Sequence, residues 1–235
     1  MLSNNSEQEK KLIRCGALCA IAGAIIFMVA NIIHPRSLNI AFTPAQIETV
    51  AASGIWVTDH LFLFLGGFLL LGGLMAIRRL VSSELGGVWA EFGYASAMVS
   101  TSVWTILMAL DGITSKVVHN AWAMSPAGDK VVALHVAEMM EEIDIGIFSM
   151  YIIVFFGITL LFYGLAVAKS TSFPAWLGWV AVVLASCSLV VGVVQAYTGL
   201  SVLITNTLFA SFSSLLTLWM LIMGFLTWRK SFKLL

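Results

Sequence analysis

Charge is what this sequence is short of. Lysine, arginine, aspartate and glutamate make up 10% of its 235 residues, against roughly 25% in soluble domains, which excludes an ordinary water-soluble globule. Only four prolines occur, at positions 35, 44, 126 and 174, all outside the apolar runs. The chain therefore has none of the proline-interrupted spans that transporters use to bind cargo near the bilayer midplane. Three cysteines are too few and too scattered for a disulfide framework: Cys15 and Cys19 are one helical turn apart and Cys187 stands alone, with no CxxC pair. Formal net charge is zero, so a nucleic-acid partner is not expected. No repeat of 20 to 50 residues is visible.

What is present is apolar. Hydrophobic residues make up 60% of the chain and mean hydropathy is +0.99. Six runs reach the ~20 residues that cross about 30 Å of hydrocarbon as helix; they lie near residues 12–34, 55–77, 88–111, 143–168, 175–197 and 203–228. A β-barrel would show short alternating segments, whereas these runs are apolar on all sides. The expected fold is all-α: one polytopic membrane domain built as a six-helix bundle. The opening "MLSNNSEQEKKLIR" precedes a run too long for a signal-peptide core, so the first span is expected to be retained.

The few charges are sorted. Lys10, Lys11, Arg14, Arg78, Arg79, Lys169, Arg229, Lys230 and Lys233 fall on one side of the alternating spans, and only Arg36, Lys116 and Lys130 on the other. This bias predicts both termini in the cytoplasm and insertion in the plasma (inner) membrane. Acids run the other way, so three bases meet eight acids outside, a balance of about −5.

The outer connections have room for structure. "TPAQIETVAA", residues 43–52, starts with Thr43 as a candidate N-cap, Pro44 at the first helical position and Gln46 three residues after the cap, a pattern that predicts a short interfacial helix. Ser125 and Pro126 can open a helix that runs outward of the fourth span and then into it, about 40 residues without a breaker. That helix contains "HVAEMMEEID", residues 135–144. At 100° per residue His135, Glu138 and Glu142 share a ridge, with Val132, Val136, Met140 and Ile143 beside it and Glu141 and Asp144 pointing elsewhere. Glu142 is expected to face the bundle interior, because a carboxylate facing lipid is expensive.

All four histidines lie in the outer half. His34 ends the first span, His60 begins the second, Asp111 ends the third and the ridge begins the fourth, so four helices deliver a histidine or a carboxylate at similar depth. Each has a bland alternative. His34 complements a helix C-terminus, Asp59 suits a helix N-terminus, and His60 and Trp56 suit an interfacial belt; His119 is expected in a loop or frayed end. Asp111 is harder to dismiss, since an acid near a helix C-terminus opposes the dipole. Were the third helix to continue, Asp111, Ser115 and His119 would share a face.

These groups suggest a small membrane enzyme acting on a lipidic or amphiphilic substrate from the outer leaflet. In a metal-dependent form, three or four of His34, His60, His135, Glu138 and Glu142 would ligate a divalent metal ion while Asp111 orients a ligand or serves as base; in a metal-free form, Asp111, Glu138 and Glu142 would divide the acid and base roles. Two competing classes remain. One is a subunit or assembly factor of a larger membrane complex, whose outer histidines could ligate haem; the other is a small-solute transporter.

Overall fold

Local rules account for the elements. The structure is a computed structural model that describes residues 2–37, 39–82 and 84–233, with backbone alone for 2–6. Seven continuous helical rods carry the described chain: α1 Leu2–Ile33, α2 Thr43–Ala52, α3 Trp56–Val81, α4 Gly87–Met124, α5 Lys130–Ala168, α6 Ala175–Thr198 and α7 Val202–Ser231. All except α2 are long and apolar enough to cross a membrane, and an even number of crossings returns both termini to one end. Three rods widen into π-helical turns, at Met108–Ser115 in α4, Ile152–Thr159 in α5 and Val202–Phe209 in α7. Such turns add a residue to the repeat and re-aim the side chains that follow them.

Two expectations about helix starts need adjusting. Residue Phe42, not Thr43, is the N-cap of α2, without a side-chain cap; Gln46 instead donates from Nε2 to the Ile40 carbonyl at 2.7 Å. Helix α5 begins at Lys130 rather than at Pro126, and its 39 residues amount to about 58 Å at 1.5 Å per residue, well beyond the hydrocarbon thickness. Helix α2 packs on the ends of α4 and α5 that lie away from the termini. Lys116 fastens it there, donating to the Val50 and Ala51 carbonyls at 2.9 and 2.8 Å, where a cation also suits the helix C-terminus.

Packing relies on small residues, since lipid offers helices no hydrophobic reason to associate. Helix α1 lies against α3 and α7, α4 against α3 and α5, and the second half of α5 against α6. The α1–α3 contact is so close that a Cβ on Gly16 would come within 2.5 Å of the Gly72 carbonyl oxygen, and one on Gly73 within 2.5 Å of the Ala20 Cβ. Between the helices an aromatic cluster fills the interior: Trp104 stacks on Tyr151 at 4.4 Å, with Phe27, Phe155 and Phe156 around them.

At the end that carries the termini, the two short connections are tied by one acid. Glu84 accepts the Thr171 N–H at 2.6 Å through Oε2 and the Ser172 hydroxyl at 2.6 Å through Oε1. Partial burial works against the charge, but the donors outweigh it and hold this carboxyl below the usual carboxylate range. The resulting stability is complete above the unfolded-state value and is lost as pH falls through the lower folded-state value. Thermal unfolding in detergent should therefore show Glu84→Gln less stable than wild type at pH 7. The two should converge on acidification, and a gap that persists unchanged at acid pH would contradict the linkage.

Candidate metal centre and adjoining cavity

The site begins where α1 stops. Pro35 cannot continue the helix, and His34, the residue before it, turns toward the first turn of α3. Its Nδ1 lies 2.6 Å from Asp59 Oδ2, a short contact of the charge-assisted kind. Asp59 is 1% exposed, which a carboxylate tolerates only when compensated. The N-terminus of α3 contributes favourably, but the second oxygen, Oδ1, is buried with no partner. An orphaned carboxylate oxygen of this kind is where a cation fits.

The next residue of α3, His60, is equally buried, at 2% exposure. Its Nδ1 sits 2.7 Å from the Trp56 carbonyl, which only accepts, so Nδ1 carries the hydrogen. Its Nε2 faces Asp111 Oδ2 at 3.1 Å. A histidine between two acceptors is either a full imidazolium or presents a bare Nε2 to a cation. Ligand atoms from His34, Asp59 and His60 all lie within 4.8 Å of one another, and the two imidazoles with one carboxylate are a donor set suited to zinc or another divalent transition metal.

Asp111 reaches this place because α4 does not end. The π-helical turn carries the rod past Gly112 to Met124, so three residues of one face find three partners: Asp111 with His60, Ser115 with Asp144 and His119 with Glu141. Ser115 donates to Asp144 Oδ2 at 2.5 Å. His119 Nε2 stands 3.2 Å from Glu141 Oε1 without an aligned hydrogen bond to it, and the Ala137 backbone carbonyl also faces the ring. Gly112 is what permits the approach, since a Cβ there would fall 2.5 Å from the His60 Cβ. Trp56 locks the arrangement, donating from Nε1 to the Asp111 carbonyl at 2.8 Å and packing on both His34 and His60, with ring centroids 5.1 and 4.6 Å away.

A cavity of about 420 Å³, within the usual range for small-molecule sites, opens beside these residues. His34, His60, Asp111, Glu141 and Asp144 line one part of it, and Phe27, Trp104, Tyr151, Phe156 and Phe209 another. One chamber thus joins a titratable end to an aromatic one.

The sequence expectations divide here. His34, His60 and Asp111 are brought together. His135, Glu138 and Glu142 are not: His135 and Glu142 are exposed, Glu138 is half-buried, and none lines the cavity. The inward face of α5 is the neighbouring one, with Ala137, Met140, Glu141 and Asp144 buried. Glu142 facing inward is thus corrected to Glu141. Burying Asp144 in a paired, hydrogen-bonded setting decides the rotation, while Val132, Val136, Met139 and Ile143 are left exposed. Three further residues were undervalued. His119 is wholly buried in a helix, Asp59 is a partner of His34 as well as a helix-start acid, and Trp56 is a buried clamp rather than a belt residue. Only the spacing of Asp111, Ser115 and His119 at four-residue intervals signalled any of this.

Comparison with protein-family models, with curated proteins and with solved structures yields no match. Function must therefore be argued from the site.

Proposed function

We propose that the protein is a small integral membrane enzyme that holds a divalent metal ion on His34, Asp59 and His60 and acts on an amphiphilic, lipid-derived substrate in the adjoining cavity. The observation that carries this reading is the two-ended chemistry of that cavity, with metal-ligating groups at one end and an aromatic wall at the other. A polar headgroup would meet the titratable end while its chain lies against Trp104, Phe156 and Phe209. A cation there would polarise a headgroup oxygen or lower the pKa of a water. The Trp56 carbonyl, accepting from His60 Nδ1, holds that imidazole in its orientation, and Asp111, beside Nε2, is placed to accept a proton at the cavity surface. The bias of basic residues toward the termini supports a site on the outer face of the plasma membrane.

Haem binding by the paired histidines draws no support: their rings pack edge to face with centroids 5.1 Å apart, leaving no room for a macrocycle between them. Transport draws little, because the charged groups gather at one end of the spans rather than at mid-depth.

Metal analysis of detergent-purified protein tests the reading. At least about one equivalent of divalent metal per chain is expected, together with chelator-sensitive conversion of a phospholipid or isoprenoid mixture. Absence of any divalent-cation binding would sink it. The orientation is checked separately: Ala127→Cys should react with an impermeant thiol reagent in intact cells, and labelling only after lysis would place the site on the inner face.

A further inference from the structure

Most flanks of the cavity are closed. Between α1 and α3 the backbones nearly touch, since a Cβ on Gly66 would come within 2.8 Å of the Phe27 nitrogen. Phe209 of α7 packs on Phe148 and Phe156 of α5, with ring centroids 5.3 Å away in both cases. The α6–α7 side is fastened by Thr205, which donates to Gln195 Oε1 at 2.8 Å.

The α1–α7 flank differs. Toward the termini the two helices are in close contact, and a Cβ on Gly224 would lie 3.0 Å from the Ala20 Cβ. Toward the other end the π-helical stretch Val202–Phe209 packs on α6 instead, and Ile32 of α1 with Asn206 and Ser214 of α7 line the cavity while remaining exposed. A shallow groove on the outside of α7, formed by Ala210, Ser211, Ser214 and Leu215, shares Ala210 and Ser214 with the cavity. Only small side chains separate groove from chamber.

Ile32 is the penultimate residue of α1, and Asn206 and Ser214 lie about 6 and 18 Å along the roughly 45 Å of α7. The opening is therefore a slit that runs from the membrane surface nearly to mid-depth and faces the lipid around the bundle. Arg36 marks its upper end. Among the described residues it is the one lysine or arginine that lines the cavity, two positions after His34, and it is exposed. Its Nη2 donates to the Asn31 carbonyl at 2.8 Å, which steadies the guanidinium and leaves it further N–H groups for an anion.

We infer that a glycerophospholipid enters this cavity sideways from the bilayer, through the slit between α1 and α7, with its phosphate at Arg36 and one acyl chain passing between Ile32 and Ser214 to the aromatic wall. A bilayer lipid already hangs along the direction of the slit, so its headgroup stays at the surface and its chain never crosses water. A lipid without phosphate would fill the aromatic end but leave Arg36 unused. The inference deepens the proposed function and rests on it for the chemistry at the metal, but lipid entry can be read without turnover.

Full-length protein in nanodiscs is irradiated with phosphatidylglycerol carrying a diazirine midway along one chain, and the labelled residues are located by mass spectrometry. Trp104 and Tyr151 are 5% and 2% exposed, so a lipid outside the bundle does not reach them. Both should be labelled in wild type. Ala210→Trp and Ser214→Trp, which plug the slit, should lower that labelling by at least about fivefold. Val183→Trp, exposed on α6 and lining neither cavity nor groove, should leave it unchanged. Arg36→Gln, or a diacylglycerol bearing the same diazirine, should give severalfold less. Thermal unfolding checks the fold of each variant, and Ser214, already exposed, gives the milder plug. Unlabelled Trp104 and Tyr151 in wild type, or undiminished labelling in a folded Ser214→Trp, would overturn the slit. Undiminished labelling in Arg36→Gln together with equal labelling by diacylglycerol would overturn the phospholipid. Should the slit fail while wild type binds a divalent metal, the proposed function stands with another entry route; should wild type bind no metal yet label as expected, that function falls and the slit stands.

Discussion

Asp59→Asn is expected to lower affinity at the His34 site by more than about a hundredfold while leaving the metal-free protein at least as stable as wild type. The two effects part because the native carboxylate is poorly compensated without a cation. It is 1% exposed, one oxygen meets His34 at 2.6 Å and the other meets nothing. An orphaned buried acceptor costs about 1–3 kcal/mol, and an amide of the same shape removes the charge that makes the burial expensive while still meeting the imidazole. Asp59→Ala would confuse the reading, since breaking a buried pair costs about 3–5 kcal/mol by itself. Isothermal titration with Zn²⁺, alongside thermal unfolding of metal-free protein, separates the outcomes. Unchanged affinity in Asp59→Asn would remove this residue from the centre. A large loss of metal-free stability would mean that the His34–Asp59 contact is a structural ion pair.

Gly112→Ala is the second large effect, and it acts through packing. The new methyl carbon would lie 2.5 Å from the His60 Cβ, an atom anchored to the α3 backbone with no freedom to move aside. The only relief is for α3 and α4 to separate, and overpacking of this kind costs about 1–3 kcal/mol. Separation also draws Asp111 away from His60 Nε2 and strains the Trp56 bond to the Asp111 carbonyl. Affinity for a divalent cation should therefore fall by about tenfold or more, although the substituted residue carries no ligand. Gly146→Ala is the matched control. Nothing lies within 4 Å of a Cβ at that position, and alanine in a helix interior should be neutral or add up to about 1 kcal/mol. Equal behaviour of the two variants in thermal unfolding and Zn²⁺ titration would contradict the close approach of α3 and α4.

The face of α5 shows where periodicity stops informing. The 100° rule correctly separates His135, Glu138 and Glu142 from Glu141 and Asp144, but it gives only relative angles. In a soluble helix the apolar stripe would settle which face turns inward. Here that cue inverts, because an apolar face is welcome outside where lipid is the solvent, and Val136, Met139 and Ile143 are exposed. Partners supply the missing reference. Ser115 and His119 on α4 receive Asp144 and Glu141, and those contacts join residues 29 and 22 positions apart.

The sequence by itself determined six apolar helices and set His34, His60 and Asp111 at one end, together with the ridge of His135, Glu138 and Glu142 that the structure leaves outside the cavity, because hydrophobic length and the cost of charge near lipid act locally along the chain. The tertiary structure alone decided the rest. It carried α4 past Gly112 through a π-helical turn, so that Asp111, Ser115 and His119 each met a partner. It made Asp59 and Trp56 members of the site, turned Glu141 rather than Glu142 inward, and opened an aromatic cavity beside the acids. Each of these depends on how far apart two helices stand and how each is rotated, and those quantities are set by contacts such as Gly112 against His60 and Gly73 against Ala20, which no single span contains.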